Sequence, residues 1–345
     1  MIKLYNNSKF YVLAPAGVAT GGVELAHQLV DAINKRDREA YIVYVKDGVE
    51  FINAPVTKEY SSYDIHTAAD IDDDGRNIIV LPEIYSRFIP RIKNAQICFW
   101  WMSVDNYLKG AGAMGYFHLV TRLHNRDSWV RTAFTLASKI IRRSDSYVSL
   151  SAMRQNARIT HLYQSDYAKC FLFSHGITNT LPMRDYISRN IRTIKPAEER
   201  RNVILYNPKK GMFFTKFIQK NLCKYEFKPL VNMTKSEIDN AFGSAKVYID
   251  FGNHPGQDRL PREAAMGGCC ILTSKNGSAN FFEDVPIDDK YKFLRKRSSI
   301  NDIVRLVESI MEDYNTHSRD FDAYRRYISM QPTIFEQDVN RLLAF

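Results

Sequence analysis

Five residues able to bind or move charge fall within one short stretch: Asp250, His254, Asp258, Arg259 and Glu263. Residues 245–251 (Ala-Lys-Val-Tyr-Ile-Asp-Phe) have the composition of a buried strand, and Gly252, Pro255 and Gly256 then break the chain into a polar loop. A helix is predicted over 261–267, with Glu263 in its first turn. This order sets backbone N–H groups, an arginine and carboxylates at the carboxyl end of a strand, where open α/β sheets bind ligands. A helix amino terminus there offers unpaired N–H groups to an anion. The chemistry points to a nucleotide carrying phosphate.

Two other turns offer the same chemistry. Tyr206-Asn207-Pro208-Lys209-Lys210-Gly211 closes a predicted strand and opens a helix, setting two ammonium groups where negative charge on a departing diphosphate could be offset. Residues 14–24, with Gly17, Gly21 and Gly22, also join a strand to a helix, which allows close backbone approach to a diphosphate or sugar. They lack the Gly-x-Gly-x-x-Gly spacing of a dinucleotide site. Glu83 and Asp105 each follow an apolar strand and are candidate bases or helix caps. Tyr85 and Trp101 carry flat faces suited to a sugar, although core burial is the default for tryptophan. His175 follows the apolar run 170–173, expected to be a strand, and residues 274–280 form another small-residue loop.

These positions are carried by alternating elements. Strands are expected at 10–15, 41–45, 78–81, 96–101 and 147–150, with a glycine turn at 17–22 and a helix over 23–35. Continuous apolar runs separated by helices imply a parallel sheet covered on both faces. Residues 178–201 lose that pattern. It restarts with strands at 202–206, 227–231, 245–251 and 269–273, and helices at 211–220, 235–242 and 261–267. After a helix break expected at Pro332, residues 335–345 set Phe335, Val339, Leu342 and Leu343 at near-helical spacing, forming one apolar stripe.

The segment around Glu263 resembles the donor-sugar motif of GT-B glycosyltransferases, most similar to the retaining, group 1 type of bacterial polysaccharide biosynthesis. Glu263 matches the glutamate that holds the donor ribose, while Pro255 stands where the first glutamate of the pair is expected. Lys210-Gly211 matches the family's lysine-glycine pair, and Arg259 is the candidate second cation. The resemblance implies an α/β fold of two Rossmann-like doubly wound domains facing across a cleft. An amino-terminal acceptor domain over 1–180, a linker at 181–201, a donor domain over 202–328 and a returning terminal helix at 329–345 are expected. It also implies transfer of a sugar from a nucleotide sugar to a glycan or lipid-linked glycan. Donor contacts are then expected from Gly21, Gly22, Asn207, Lys209, Lys210, Asp250, His254, Pro255, Gly256, Asp258, Arg259 and Glu263. Tyr85, Trp101, Asp105 and His175 are the acceptor candidates, and Asp105, Glu83, Lys210 and Arg259 the catalytic ones.

Composition agrees with a two-domain enzyme. The chain has 345 residues, 45% of them hydrophobic, against roughly 100–200 residues for one domain. No apolar run approaches the roughly 20 residues of a spanning helix, and nothing resembles a signal peptide, so a cytoplasmic location is expected, with peripheral contact to an anionic membrane face. The five cysteines have no zinc-site spacing and are expected to be free thiols. No carboxylate pair suited to a divalent ion stands out, because Asp72-Asp73-Asp74 beside Gly75-Arg76 looks like an exposed turn, so no metal or other cofactor is expected. The net charge of +10 attracts polyanions without identifying them, and Lys139, Arg142, Arg143 and Arg189, Arg192, Lys195, Arg200, Arg201 form its local clusters. A nucleic-acid-binding protein would interleave aromatics with these cations on an exposed surface. The aromatics here sit in strand-like runs, so no nucleic-acid partner is expected. A nucleotide-sugar epimerase of the same architecture is the other alternative.

Overall fold

The computed structural model describes residues 2–122, 129–141, 147–188 and 194–344; Arg142, Arg143, Arg189 and Arg192 lie outside the described residues. Met1–Asp185 with Thr333–Phe345 form one compact unit, and Tyr186–Pro332 form a second.

The first unit runs β1 (Lys9–Pro15), α1 (Gly21–Asn34), β2 (Glu39–Lys46), β3 (Glu50–Ile52), β4 (His66–Thr67), β5 (Ile78–Pro82), β6 (Gln96–Trp101), α2 (Val104–Gly110), α3 (Gly112–Arg122), α4 (Trp129–Ile141), α5 (Leu150–Gln155), β7 (Ile159–Tyr163), α6 (Asp166–Ser174) and β8 (Thr180–Pro182). Its sheet has the order β3-β2-β1-β5-β6-β7-β8, with β4 paired to β2. All neighbours are parallel except β3, which runs antiparallel to β2. Val12 lies opposite both Ile42 and Val80, and Trp100 lies opposite Pro82 and Leu162, so the apolar runs stack in the sheet centre. Their side chains are shielded on both faces, which is why these strands lack polar alternation.

Three expectations for this unit are corrected. Residues 147–150 form no strand: Leu150 opens α5, whose Ser149 cap accepts from the Ala152 N–H, and the sheet is continued by β7. Residues 170–173 lie inside α6, not a strand. A short apolar run fits either element, and here the Ser165 cap on the Ala168 N–H, with Tyr167, Ala168, Phe171 and Leu172 buried at helical spacing, decides for the helix. Helix α1 begins at Gly21, so Gly21 and Gly22 belong to its first turn and not to the preceding loop.

The second unit contains β9 (Arg201–Tyr206), α7 (Met212–Asn221), β10 (Glu226–Pro229), α8 (Lys235–Ser244), β11 (Ala245–Asp250), α9 (Arg259–Met266), β12 (Cys270–Ser274), β13 (Lys292–Phe293), α10 (Ile300–Glu312) and α11 (Tyr314–Arg319), and it ends within α12 (Asp322–Leu343), whose residues from Thr333 onward belong to the first unit. The sheet order is β10-β9-β11-β12-β13, parallel throughout. Helix α8 starts in a reciprocal cap, with Thr234 accepting from the Glu237 N–H and the Glu237 carboxylate reaching back to Thr234. Ile204, Val247, Tyr248, Ile271 and Leu272 fill the sheet centre under Phe242.

Helix α12 passes through Pro332 without the expected break. Proline removes one N–H there, but Ile328, Gln331, Phe335, Val339 and Leu342 form one buried stripe along the helix, and that burial outweighs one missing bond. Within the first unit, Arg184 grips the fully buried Asp338 through Nε at 2.8 Å and Nη2 at 2.7 Å. Arg36 holds Asn340 at 2.8 Å.

Candidate active site

The register of the second sheet creates the site. Asp250 at the end of β11 lies opposite Thr273 of β12, and Ile249 lies opposite Tyr206 of β9, so the loops that follow these strands emerge at one edge. Backbone meets backbone there. Gly211, the cap of α7, adopts φ 61°, and a Cβ on it would fall 2.2 Å from the Phe251 carbonyl oxygen. Gly277, at φ 55°, faces the His254 carbonyl oxygen, which a Cβ would meet at 2.0 Å. Ser274 Oγ donates to the Gly252 carbonyl at 2.5 Å and Ser278 Oγ to that of Gly256 at 2.6 Å, fixing the 252–256 loop to β12 and the segment after it. Asn207 Oδ1 accepts from the Lys209 N–H at 3.0 Å and closes the neighbouring turn.

Charge is arranged inside this frame. Lys210 Nζ donates to both carboxylate oxygens of Asp258, each at 2.7 Å. His254 Nδ1 lies 2.9 Å from Asp258 Oδ2, and its Nε2 lies 3.1 Å from the Asp250 carbonyl oxygen and 3.8 Å from Asp250 Oδ1. Both ring nitrogens face acceptors, an arrangement that favours the doubly protonated imidazole. Burial works against that charge, but the Asp250 and Asp258 carboxylates outweigh it and raise the His254 pKa. Asp258 keeps 17% of its side chain exposed, and although partial burial works against its charge, the hydrogen bond from His254 and the charge of Lys210 hold it well below the usual carboxylate range. His254 has φ 46°, a left-handed conformation seldom taken by a bulky residue, and such strain collects where a loop is shaped for function.

Asp250, His254 and Asp258 offer ligand atoms within 4.8 Å of one another. As a metal set they fit poorly, because a cation would have to displace the Lys210 ammonium from both Asp258 oxygens and a proton from His254.

The structure thus joins Lys210, Asp250, His254 and Asp258, with Gly256 tied in through Ser278, and half-buried Pro255 and exposed Lys209 on the adjoining turns. Arg259 is the first residue of α9, which starts two residues earlier than expected, so Glu263, although buried, lies beyond the first turn. Several supports were invisible in the sequence. Arg295, just past β13, donates from Nε at 2.9 Å and Nη2 at 3.1 Å to the Asn276 oxygen in the amide orientation that satisfies both groups. Buried Arg262 reaches Gln331 of α12 at 2.9 Å and the Gln257 carbonyl at 2.8 Å, and Gln257 donates to Asp284 at 3.1 Å. Arg295 stands in a basic run with no motif, and the glutamines carry no sequence signal of their role.

In the first unit, Glu83 follows β5 and is buried, accepting from the Met102 N–H at 3.2 Å and the Asn106 amide at 3.4 Å. Burial pushes its pKa up to about 7 against those hydrogen bonds. Asp105, in the first turn of α2, is buried and accepts from the Tyr167 hydroxyl at 3.0 Å. Trp101 is fully buried and donates to His161 at 2.9 Å, and Tyr85 is buried too, so neither presents an open face to a sugar. His175 caps α6 and lines a cavity of about 970 Å³ with Tyr107, Met114, His118, Lys139 and Tyr147.

No protein-family model matches this chain, and no curated protein matches its sequence. Solved structures do. Anabaena HepE, in complex with UDP-glucose, superposes with a TM-score of 0.58 over 98% of this chain and 100% of its own at 10% identity. Sucrose-phosphate synthase from Thermosynechococcus elongatus gives 0.62 over 97% and 98%, at 11% identity. The fold is GT-B. WaaG, a glycosyltransferase involved in lipopolysaccharide biosynthesis, is another GT-B likeness, with a TM-score of 0.55 over 96% and 99% at 9% identity.

Proposed function

We propose that this chain is a glycosyltransferase that moves a sugar from a nucleotide-sugar donor to a glycan or lipid-linked glycan acceptor in surface-polysaccharide synthesis, retaining the anomeric configuration and using no metal. The observation that carries the reading is the Lys210, Asp258 and His254 cluster set beside the starts of α7 and α9 at the carboxyl edge of the second sheet. That cluster fixes an ammonium group where a diphosphate meets helix amides. The GT-B likeness to HepE, solved with UDP-glucose, supports a UDP-sugar as the donor to test first. Lys210, Lys209 and Arg259 then supply the positive charge that meets the departing diphosphate, and Glu263 holds the ribose.

Retention is supported by the state of the two acids in the first unit. Glu83 and Asp105 are both buried and occupied with protein donors, whereas a general base must reach the acceptor hydroxyl. A lipid-linked acceptor would bring the basic chain to an anionic membrane face, where it would act as a peripheral protein on the cytoplasmic side. None of the helices in the described residues is long and apolar enough to cross a membrane.

The test is calorimetric binding and turnover over a panel of nucleotide sugars, with and without glycan acceptors. Lys210→Ala and Arg259→Ala should lower turnover more than donor affinity, because stabilising a leaving group acts in the transition state. Turnover should survive EDTA, and the product anomer read by NMR should match the donor. Absence of nucleotide-sugar binding across the panel would refute the reading; conversion of the donor without acceptor would replace it with an epimerase.

A further inference from the structure

A second cation stands close to Lys210, on a segment that no motif marks. Arg295 lies two residues past β13, at the carboxyl edge of the second sheet. Its Nη1 is 3.5 Å from the Phe251 carbonyl oxygen, the same oxygen that a Cβ on Gly211 would meet at 2.2 Å. The next residue, Gly252, lies against the Lys210 side chain, whose Cβ and Cδ a Cβ there would meet at 2.9 and 3.0 Å. Lys210 and Arg295 therefore border one peptide unit, the one joining Phe251 to Gly252, beside the Gly211 cap of α7. Asn276 aims the guanidinium, its oxygen accepting from Nε at 2.9 Å and Nη2 at 3.1 Å. Both of these acceptors are neutral oxygens, so they orient the charge without offsetting it. The contact to Phe251 is also long, whereas a charged oxygen draws an N–H donor to about 2.7–2.9 Å.

The charge around Lys210 shows why a further cation matters. Lys210 is held by both oxygens of Asp258, and protonated His254 sits between Asp250 and Asp258, so two cations meet two carboxylates and the cluster supplies no net charge. A diphosphate placed there needs positive charge from outside the cluster. We propose that Arg295 binds the diphosphate of the nucleotide sugar and is a catalytic residue of the transfer. When the bond between the anomeric carbon and the diphosphate oxygen breaks, the electron pair passes to that oxygen, and the guanidinium offsets the charge gained. Its planar fork can span two phosphate oxygens, which an ammonium group cannot do. This role rests on the proposed function for its substrate, and it adds a residue that lies outside the donor segment and both glycine turns.

The test is calorimetric binding of UDP, GDP, ADP and inorganic pyrophosphate to the full-length protein, with turnover of the nucleotide sugar found in the donor panel. Arg295→Ala should weaken the nucleoside diphosphate that binds, and pyrophosphate, at least tenfold, and lower kcat more than it raises KM. Arg295→Lys keeps the charge but loses the fork to Asn276, and it should recover at least a third of the lost affinity. Asn276→Asp sets a carboxylate on the guanidinium and tightens its anchor, so the melting temperature should hold or rise while nucleotide affinity falls at least fivefold. A guanidinium that only clamps the loop would predict wild-type binding in Asn276→Asp, and that result would overturn the proposal. So would wild-type affinity in Arg295→Ala, which leaves the glycosyltransferase reading standing. If wild type binds no nucleotide and no nucleotide sugar, the glycosyltransferase reading fails and pyrophosphate decides this one. Pyrophosphate binding weakened by Arg295→Ala would sustain the diphosphate contact, and absence of that binding would end it.

Discussion

The carboxyl edges of the two sheets use charge in opposite ways. In the second unit, ions are held in compensated form: Lys210 and His254 keep Asp258 ionised, and Asp250 and Asp258 favour the charged form of His254. In the first unit, burial suppresses charge. Glu83 is pushed up to about 7, and burial lowers His161 to about 4, so its ring is neutral where it accepts from Trp101. The backbones differ in the same way. Gly211 is pressed against Phe251, whereas a Cβ on Gly22 would meet only Met102 Sδ at an ordinary 3.4 Å. An edge with compensated ions and no slack holds its charged groups in one fixed arrangement. One with suppressed charge is a packed support.

The sharpest way to break this contrast is one methyl group placed on each edge. Gly211→Ala should destabilise the second unit by roughly 3 kcal/mol, from left-handed strain plus overpacking, and lower nucleotide affinity with it. Gly22→Ala, in the first turn of α1, should be neutral or stabilising by up to about 1 kcal/mol. Equal melting shifts for the two would erase the distinction.

The two carboxylates should next show opposite pH dependence. Glu83 has a raised pKa, so the native state binds its proton more tightly than the unfolded state does, and stability falls as pH rises from about 4.5 to about 7. Glu83→Gln should abolish that fall, a gain of up to about 3 kcal/mol at pH 8 relative to pH 4, measured by urea denaturation at both values. Asp258 has a lowered pKa, so its contribution is complete above about pH 4 and is lost as pH falls below that. Asp258→Asn should cost about 2 kcal/mol at pH 7 and flatten the acid limb of the stability profile. An unchanged acid limb would mean that the Lys210 and His254 contacts do not stabilise the fold. The smallest effect concerns the ligand. Glu263→Gln should weaken nucleotide binding about tenfold, by about 1.5 kcal/mol, with no change in melting temperature, and calorimetry reads it directly.

Much of this was legible because it is local. The strands expected at 10–15, 78–81 and 202–206 announce themselves through their apolar runs, and the strand, loop and helix order from Ala245 to Met266 places Asp250, His254 and Asp258 on one turn before any tertiary contact is known. The errors came where a local pattern admits two answers. Cys170 to Phe173 is apolar enough for either element until Ser165 caps the helix, and Pro332 reads as a stop until the buried stripe of α12 carries the helix past it.

Sequence by itself determined the alternation of strands and helices, the glycines that only a tight approach requires, and the chemistry available at each turn, because these depend on side chains close along the chain. Tertiary structure decided which of those groups meet. Lys210 reaches Asp258 only because β9 and β11 are neighbours in register, and Asp338 is tolerable in the core only because Arg184, far away in sequence, arrives to pair with it. Protonation followed from the same packing: the Asp250 and Asp258 carboxylates favour the charged form of buried His254, and burial of Glu83 just past β5, with no cation among its hydrogen-bond donors, raises its pKa, a difference that residue type and spacing do not encode.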